Sequence, residues 1–238
     1  MSDVFSFIFA RGGSQGLKNK NILNFAGKPL IAWTIEQALG NSKINRVIVS
    51  TASPEIAHIS KSYGAEVPFL RPDELASNTS SEIDSWKHAL NFLKDSEGYM
   101  PNIFISLPCT SPLRSQDDID RNLDCLIKNN ADLAISVSPS SKNPYFNIVR
   151  MSDDGQASLF AESECGYSRR QDAPVTFDIT TVAYSSKPEY ILNTDNLMSG
   201  RVFASVVDKE RSIDIDTLLD FRMAELLYLE KNGNFNEI

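Results

Sequence analysis

Val4-Phe5-Ser6-Phe7-Ile8-Phe9-Ala10-Arg11-Gly12-Gly13-Ser14-Gln15-Gly16 runs from a nearly unbroken apolar stretch straight into a glycine-rich loop. An apolar run of this length is what a strand covered on both faces requires. Glycines directly after a strand let backbone N–H groups approach a phosphate with no Cβ in the way. Arg11, Lys18 and Lys20 bring positive charge to the same loop. A guanidinium can fork onto phosphate oxygens, and an ammonium supplies a mobile point charge. The stretch also reads as a plain tight turn with solvated lysines. Neither Gly-x-x-x-x-Gly-Lys-Ser/Thr nor Gly-x-Gly-x-x-Gly occurs in it, which excludes an ordinary P-loop and a dinucleotide fingerprint.

Outward from that loop, the chain alternates strand and helix signals. Helical spacing runs from Pro29 to Leu39 and stops at Gly40, and a second helix opens at Ser53-Pro54-Glu55 and stops at Gly64. Strands are expected at 46–51, 66–70, 102–107 and 131–138, and further helices from about 82 to 94 and from Ser115-x-x-Asp118 to Lys128. Residues 71–81, rich in Ser, Asn, Asp and Pro, read as a loop. Such alternation implies a mostly parallel sheet with helices on both sides. Between about 139 and 185 the grammar changes to short strand pieces without helix signals, expected to be an antiparallel excursion inside one domain spanning 1–238. Strand 202–207 and a closing amphipathic helix from 217 to 230 complete the pattern.

Composition narrows the function classes. A formal charge of −8 disfavours a phosphate-tracking nucleic-acid binder. No apolar run approaches the roughly 20 residues a membrane span needs, and Met1-Ser2-Asp3 shows no basic leader. Three scattered cysteines, with no Cys-x-x-Cys and only two histidines, leave no disulfide framework and no ligand set for structural zinc. A reducing, cytoplasmic setting is expected. Cys109 has no basic neighbour and reads as loop packing, while His58 and His88 fall on helices as structural groups. Phe221 and Tyr228, at helical spacing, read as core contacts.

Near the carboxyl end, Ile213-Asp214-Ile215-Asp216 alternates apolar and acidic residues. On an extended chain, residues two apart share a face, so both carboxylates point one way. Adjacent carboxylates invite a hard divalent cation with oxygen ligands, and magnesium with bound phosphates suits that chemistry. The other reading is a half-buried edge strand whose Asp216 caps the last helix.

The loop 10–21 resembles the signature of the acylneuraminate cytidylyltransferases, the CMP-sialic acid synthetase family. Further matches follow in chain order at 26–31, 49–51, Arg71-Pro72-x-x-Leu75-Ala76, Thr110-Ser111-Pro112-Leu113-Arg114, Arg169-Arg170-Gln171-Asp172 and Ser212-Ile213-Asp214-Ile215-Asp216. Pro144-Tyr145-Phe146-Asn147 and 169–174 look most like the legionaminic-acid branch. The resemblance implies a Rossmann-like three-layer α/β sandwich with an antiparallel dimerisation excursion at 139–185. It also implies transfer of CMP from CTP to an acidic ulosonic sugar. By that similarity Arg11, Gly12, Gly13, Ser14, Lys20 and Asn21 hold the nucleotide, and Arg71 and Ser80 enclose it. Asp214 and Asp216 bind Mg2+. Arg170 sits by the sugar, supplied through a homodimer, and Arg11, Lys20 and Arg170 carry the catalysis. The cationic turn and the acidic pair must then face each other.

Departures fall mainly on the acceptor side. Gln15 stands where the family usually has lysine, Pro108-Cys109 replaces a segment that commonly carries a glutamine, and 177–184 replaces an Asn-Gly-Ala-Ile-Tyr pattern. Lys142 and Arg150 read either as contacts for a sugar carboxylate or as solvated cations. The same residues also admit transfer of another nucleotide or to another acceptor, or an impaired CTP-binding module.

Overall fold

The computed structural model describes residues 3–13, 16–76, 81–162, 166–167 and 169–233. In chain order the elements are β1 (Val4–Phe9), β2 (Asn24–Phe25), β3 (Lys28–Pro29), α1 (Leu30–Leu39), β4 (Arg46–Ser50), α2 (Pro54–Ser62), α3 (Glu82–Glu97) and β5 (Ile103–Ser106). There follow α4 (Gln116–Lys128), β6 (Leu133–Pro139), β7 (Val149–Met151), β8 (Ala157–Leu159), β9 (Phe177–Ser186), α5 (Pro188–Asn193), β10 (Val202–Val206) and α6 (Leu218–Lys231).

Side chains alternate across a strand, and in β1 that alternation sorts the layers. Val4, Ile8 and Ala10 join an apolar cluster with Ile31 and Ile35 of α1, Ile56 of α2 and Leu123 of α4. Phe5, Phe7 and Phe9 face the opposite way, onto Trp86 and Leu90 of α3 and Ile191 of α5. Both faces of the sheet are therefore covered, giving a three-layer α/β sandwich of the Rossmann-like type. A third cluster seats α6, through Phe221 and Ala224, on Phe25, Leu30 and Ile215.

The central sheet has six strands in the order β10-β6-β9-β5-β1-β4. β1 runs parallel to β4 and β5, and β10 runs parallel to β6. β9 alone is antiparallel, hydrogen-bonded to β5 on one side and β6 on the other. The carboxyl ends of β1, β4, β5, β6 and β10 thus share one edge, where ligands of open α/β sheets bind.

Several expectations need correction. The strand expected at 66–70 shrinks to a single parallel bridge, Ile48 with Glu66; Pro68 lacks the N–H that would continue the ladder. The strand ending the excursion belongs to the main sheet as β9, so among the described residues of the excursion only β7 and β8 form a separate ribbon. α5 has no counterpart in the sequence reading. Residues 212–216 form no strand. Thr217, not Asp216, caps α6, in a reciprocal pair with Asp220. The expected Ser115–Asp118 capping box is present on α4. Among the described residues, no helix is long and apolar enough to cross a membrane.

Candidate active site

Because β1, β5 and β10 end at the same edge, the loops that follow them meet. The 3-10 turn at Lys20–Ile22 opens after Asn19, whose φ of 55° is the left-handed conformation asparagine tolerates. That turn buries Lys20 and Asn21. Lys20 Nζ lies 3.0 Å from Asp216 Oδ1 and also donates to the carbonyl of Ile215. A Cβ on Gly16 would fall 2.3 Å from the Asp216 carbonyl oxygen, so only glycine permits this approach of backbone to backbone. Asn21 Nδ2 donates to the Arg11 carbonyl at 3.1 Å, closing the loop on itself. The cationic turn and the acidic segment are in direct contact, as the sequence reading required.

The acidic segment is tethered twice. Ile215 N donates to the Thr110 carbonyl at 2.9 Å, tying it to the loop after β5. Arg211 forks onto Asp118, Nε to Oδ2 at 2.7 Å and Nη2 to Oδ1 at 3.0 Å. Burial opposes the charge on Asp118, but Arg211 and the Ser115 backbone and hydroxyl hold its carboxyl below the usual range. Ile215 is fully buried, whereas the Asp216 side chain is 74% exposed. Asp214 differs: burial, then repulsion from Asp216, raises its pKa against the pull of the Thr110 and Thr181 hydroxyls and of Lys20.

On the neighbouring side, Arg11, Arg71, Phe9, Leu75, Ser81, Glu82 and Ser85 line a cavity of about 300 Å³. Arg71 is buried; its Nη1 donates to Ser85 Oγ at 3.1 Å, while its Nε has no partner. Desolvation, followed by repulsion from Arg11, lowers the Arg71 pKa. The cavity thus brings two guanidiniums and one carboxyl, that of Glu82, to a common lining. Glu82 is reachable by solvent at the cavity mouth, yet the protein around it raises its pKa by desolvation, and Asp214 adds repulsion. Gly12 packs against Ser53 at the start of α2, and Gly13 opens to free space. Ser14, Gln15 and Ser80 lie outside the described residues.

Arg170 is elsewhere. Its Nη2 donates to the Ser140 carbonyl at 2.9 Å, within a cleft of about 520 Å³ shared with Lys142, Asn143 and Pro174. That cleft has no lining residue in common with the Arg11–Arg71 cavity. Arg150 pairs with Glu162 and Ser158 on the β7–β8 ribbon. A cavity of about 770 Å³ between α1, α4 and α6 carries none of the expected site residues. Cys109 is buried with its thiol pushed up to about 12 by desolvation, so it is no nucleophile at neutral pH.

Sequence reasoning missed Glu82, Ser85, Thr181 and the Arg211–Asp118 tether. Only Thr181 left a trace, inside a segment noted as unusual; Ser85 and the Arg211–Asp118 tether gain meaning through contacts 14 and 93 residues apart in the chain, and Glu82 through its nearness to Asp214.

A Rossmann-like sheet that carries a cationic glycine loop against a carboxylate pair defines a nucleotidyltransferase working on a nucleoside triphosphate. The family model described as cytidylyltransferase matches residues 6–230, and the chain belongs to that family. It is 33% identical to the post-translational flagellin modification protein B of Campylobacter coli, over 98% of this chain and 97% of the relative. It is also 33% identical to the CMP-N,N'-diacetyllegionaminic acid synthase of Campylobacter jejuni, with the same coverage of both chains. Among solved structures, a CMP:2-keto-3-deoxy-manno-octonic acid synthetase complexed with CTP shares the fold, with a TM-score of 0.71 at 18% identity over 97% of this chain and 100% of that one. The chain is accordingly a CTP-dependent nucleotidyltransferase that transfers CMP from CTP.

Cytidylyltransferases of this kind generally use a divalent metal. Asp214 Oδ1, buried and without a hydrogen-bond partner, is an oxygen donor suited to such an ion. Among the described residues no group of three or more His, Cys, Asp or Glu could hold a metal. A cation here would complete its shell with phosphate oxygens and water, and the residues present fit that arrangement.

Proposed function

We propose that the chain transfers CMP from CTP to the anomeric hydroxyl of an acidic 3-deoxy-2-ulosonic sugar of the legionaminic type, releasing pyrophosphate. The observation that carries this reading is the contact of Lys20 with the Asp216 carboxylate across the glycine loop. It supports a single triphosphate lying between the loop and the acidic pair. The full-length relationship to a CMP-N,N'-diacetyllegionaminic acid synthase supports the acceptor class.

Arg11 and the loop N–H groups, Gly12 to Ser14, bind the phosphates, with Asn21 holding the loop closed. Arg71, with Ser80, encloses the nucleotide. Asp214 and Asp216 hold magnesium, which when bound neutralises phosphate charge. In the transfer, the anomeric oxygen bonds to the α-phosphorus, the bond to the β-phosphate oxygen breaks, and the hydroxyl proton passes to solvent. Such chemistry asks the protein for in-line positioning and charge neutralisation rather than covalent help. Lys20 and Arg11 stabilise the leaving pyrophosphate.

The excursion forms a homodimer that brings Arg170 to the partner's sugar site. Its separation from the Arg11–Arg71 cavity supports supply in trans, as do the exposed apolar side chains Val149, Met151, Phe160 and Val175. Unpaired thiols at Cys109 and Cys125 support a cytoplasmic setting.

Pyrophosphate release, assayed with each of four nucleoside triphosphates and a panel of ulosonic acids, tests the proposal. Turnover is expected with CTP and magnesium on a nine-carbon acidic sugar. Equal turnover with UTP or GTP, or none on any ulosonic acid, overturns it.

A further inference from the structure

Lys20 is bound to the acidic segment more closely than a phosphate-binding lysine needs to be. Its side chain is buried, and an ammonium has three N–H donors to place. One goes to the Ile215 carbonyl and another to Asp216 Oδ1, at 3.0 Å. Both acceptors belong to the stretch that carries the two carboxylates, so Lys20 already supplies the positive charge such a pair requires. A divalent cation on Asp216 would share that carboxylate with the ammonium. Two cations on one carboxylate repel: at about 4 Å, even in bulk water, each unit charge costs a factor of about five in affinity, or roughly 25-fold for a divalent ion. The lysine stem is long and flexible, so the ammonium can leave while the turn that bears it stays against the segment.

We propose that Lys20 is the resident counter-ion of the acidic pair and makes the metal–triphosphate complex, rather than the free ion, what this site accepts. Phosphate oxygens draw the ammonium off Asp216 as the divalent cation takes its place. The proposal rests on the reading of Asp214 and Asp216 as metal ligands, and of Lys20 as a phosphate contact, given above. Lys20 thereby serves twice, first holding the free ion off and then meeting the leaving pyrophosphate. Metal and nucleotide binding are coupled through it, and each raises the affinity of the other by the same factor. Lys18, on the same turn, is exposed and provides the comparison for loss of charge alone.

The test is Mn2+ binding to the full chain, with neither CTP nor acceptor added, read by electron paramagnetic resonance. Lys20→Met keeps the length of the stem and removes the charge; it should bind Mn2+ at least about tenfold more tightly than wild type, although its turnover falls. Lys18→Met should leave Mn2+ affinity unchanged. Adding Asp216→Asn to Lys20→Met should abolish the gain. Should Lys20→Met lower the melting temperature, Lys20→Gln, which keeps a donor for the Ile215 carbonyl, makes the same comparison. Equal tightening in Lys18→Met, or none in Lys20→Met beside a clear loss in Asp214→Asn, overturns the role of Lys20 alone. Unchanged affinity in Asp214→Asn, or a gain in Lys20→Met that survives Asp216→Asn, overturns the metal reading beneath it.

Discussion

Gly16 has no side chain, and the place a Cβ would take is already filled by the Asp216 carbonyl. Gly16→Ala must push the two loops apart, and misplacement on the scale of 1 Å can cost about 100-fold in rate. Steady-state kinetics should show that loss in kcat/KM, with a much smaller change in melting temperature. Asp216→Ala removes an exposed carboxylate and should leave the fold intact while lowering kcat/KM by at least about 100-fold; an active variant with unchanged magnesium dependence would remove Asp216 from the site. Cys109, buried and with a raised pKa, should resist alkylation at pH 8 in the native protein, with full activity retained after treatment. At this scale the meeting of the Lys20 turn with the acidic segment was legible because its signals are local: charge placed on a loop, alternation along a short stretch. Glu82 and Thr181 were not. Each looks ordinary until a segment far away in the chain is folded beside it.

At the scale of elements, the Arg211–Asp118 fork joins the acidic segment to the first turn of α4. Asp118 is wholly buried, so Arg211→Ala leaves an unpaired interior charge and should cost about 3–5 kcal/mol in denaturant unfolding. The sign of the pH dependence follows from the depressed carboxyl. The fork's contribution is fully present above the unfolded pKa of about 3.9 and is lost as pH falls through the lower folded value. Wild type should therefore lose stability below about pH 4, and Arg211→Ala should lack that step. Most strands and helices were readable from apolar period and capping residues, Ser115 and Asp118 above all. The failures share a cause. Pro68 cut a strand short through one absent donor, and the place of β9 between β5 and β6 depends on pairing that no local pattern carries. α5, six residues long, is too short for periodicity to mark.

For the whole molecule, the doubly covered sheet was legible from the alternation of strands and helices, but the division of the site between two subunits has to be tested in solution. Sedimentation should report a dimer, and Met151→Asp on the exposed ribbon should shift it toward monomer with loss of turnover. Mixing inactive Arg170→Ala with inactive Asp216→Ala should regain about a quarter of wild-type activity if half of the dimers are hybrids with one intact site; no recovery would mean Arg170 serves its own subunit. The arrangement of β6 and β9 carries a wider consequence. Pro139 faces Phe177 across an antiparallel ladder, and Ser140 N donates to the Thr176 carbonyl at 3.0 Å. The described residues between 141 and 175 hang from two neighbouring anchor points, an arrangement in which loop length can vary at little cost to the sheet. If, as proposed, this cassette carries acceptor contacts, exchanging it between relatives should move sugar preference from one enzyme to another while nucleotide use stays unchanged.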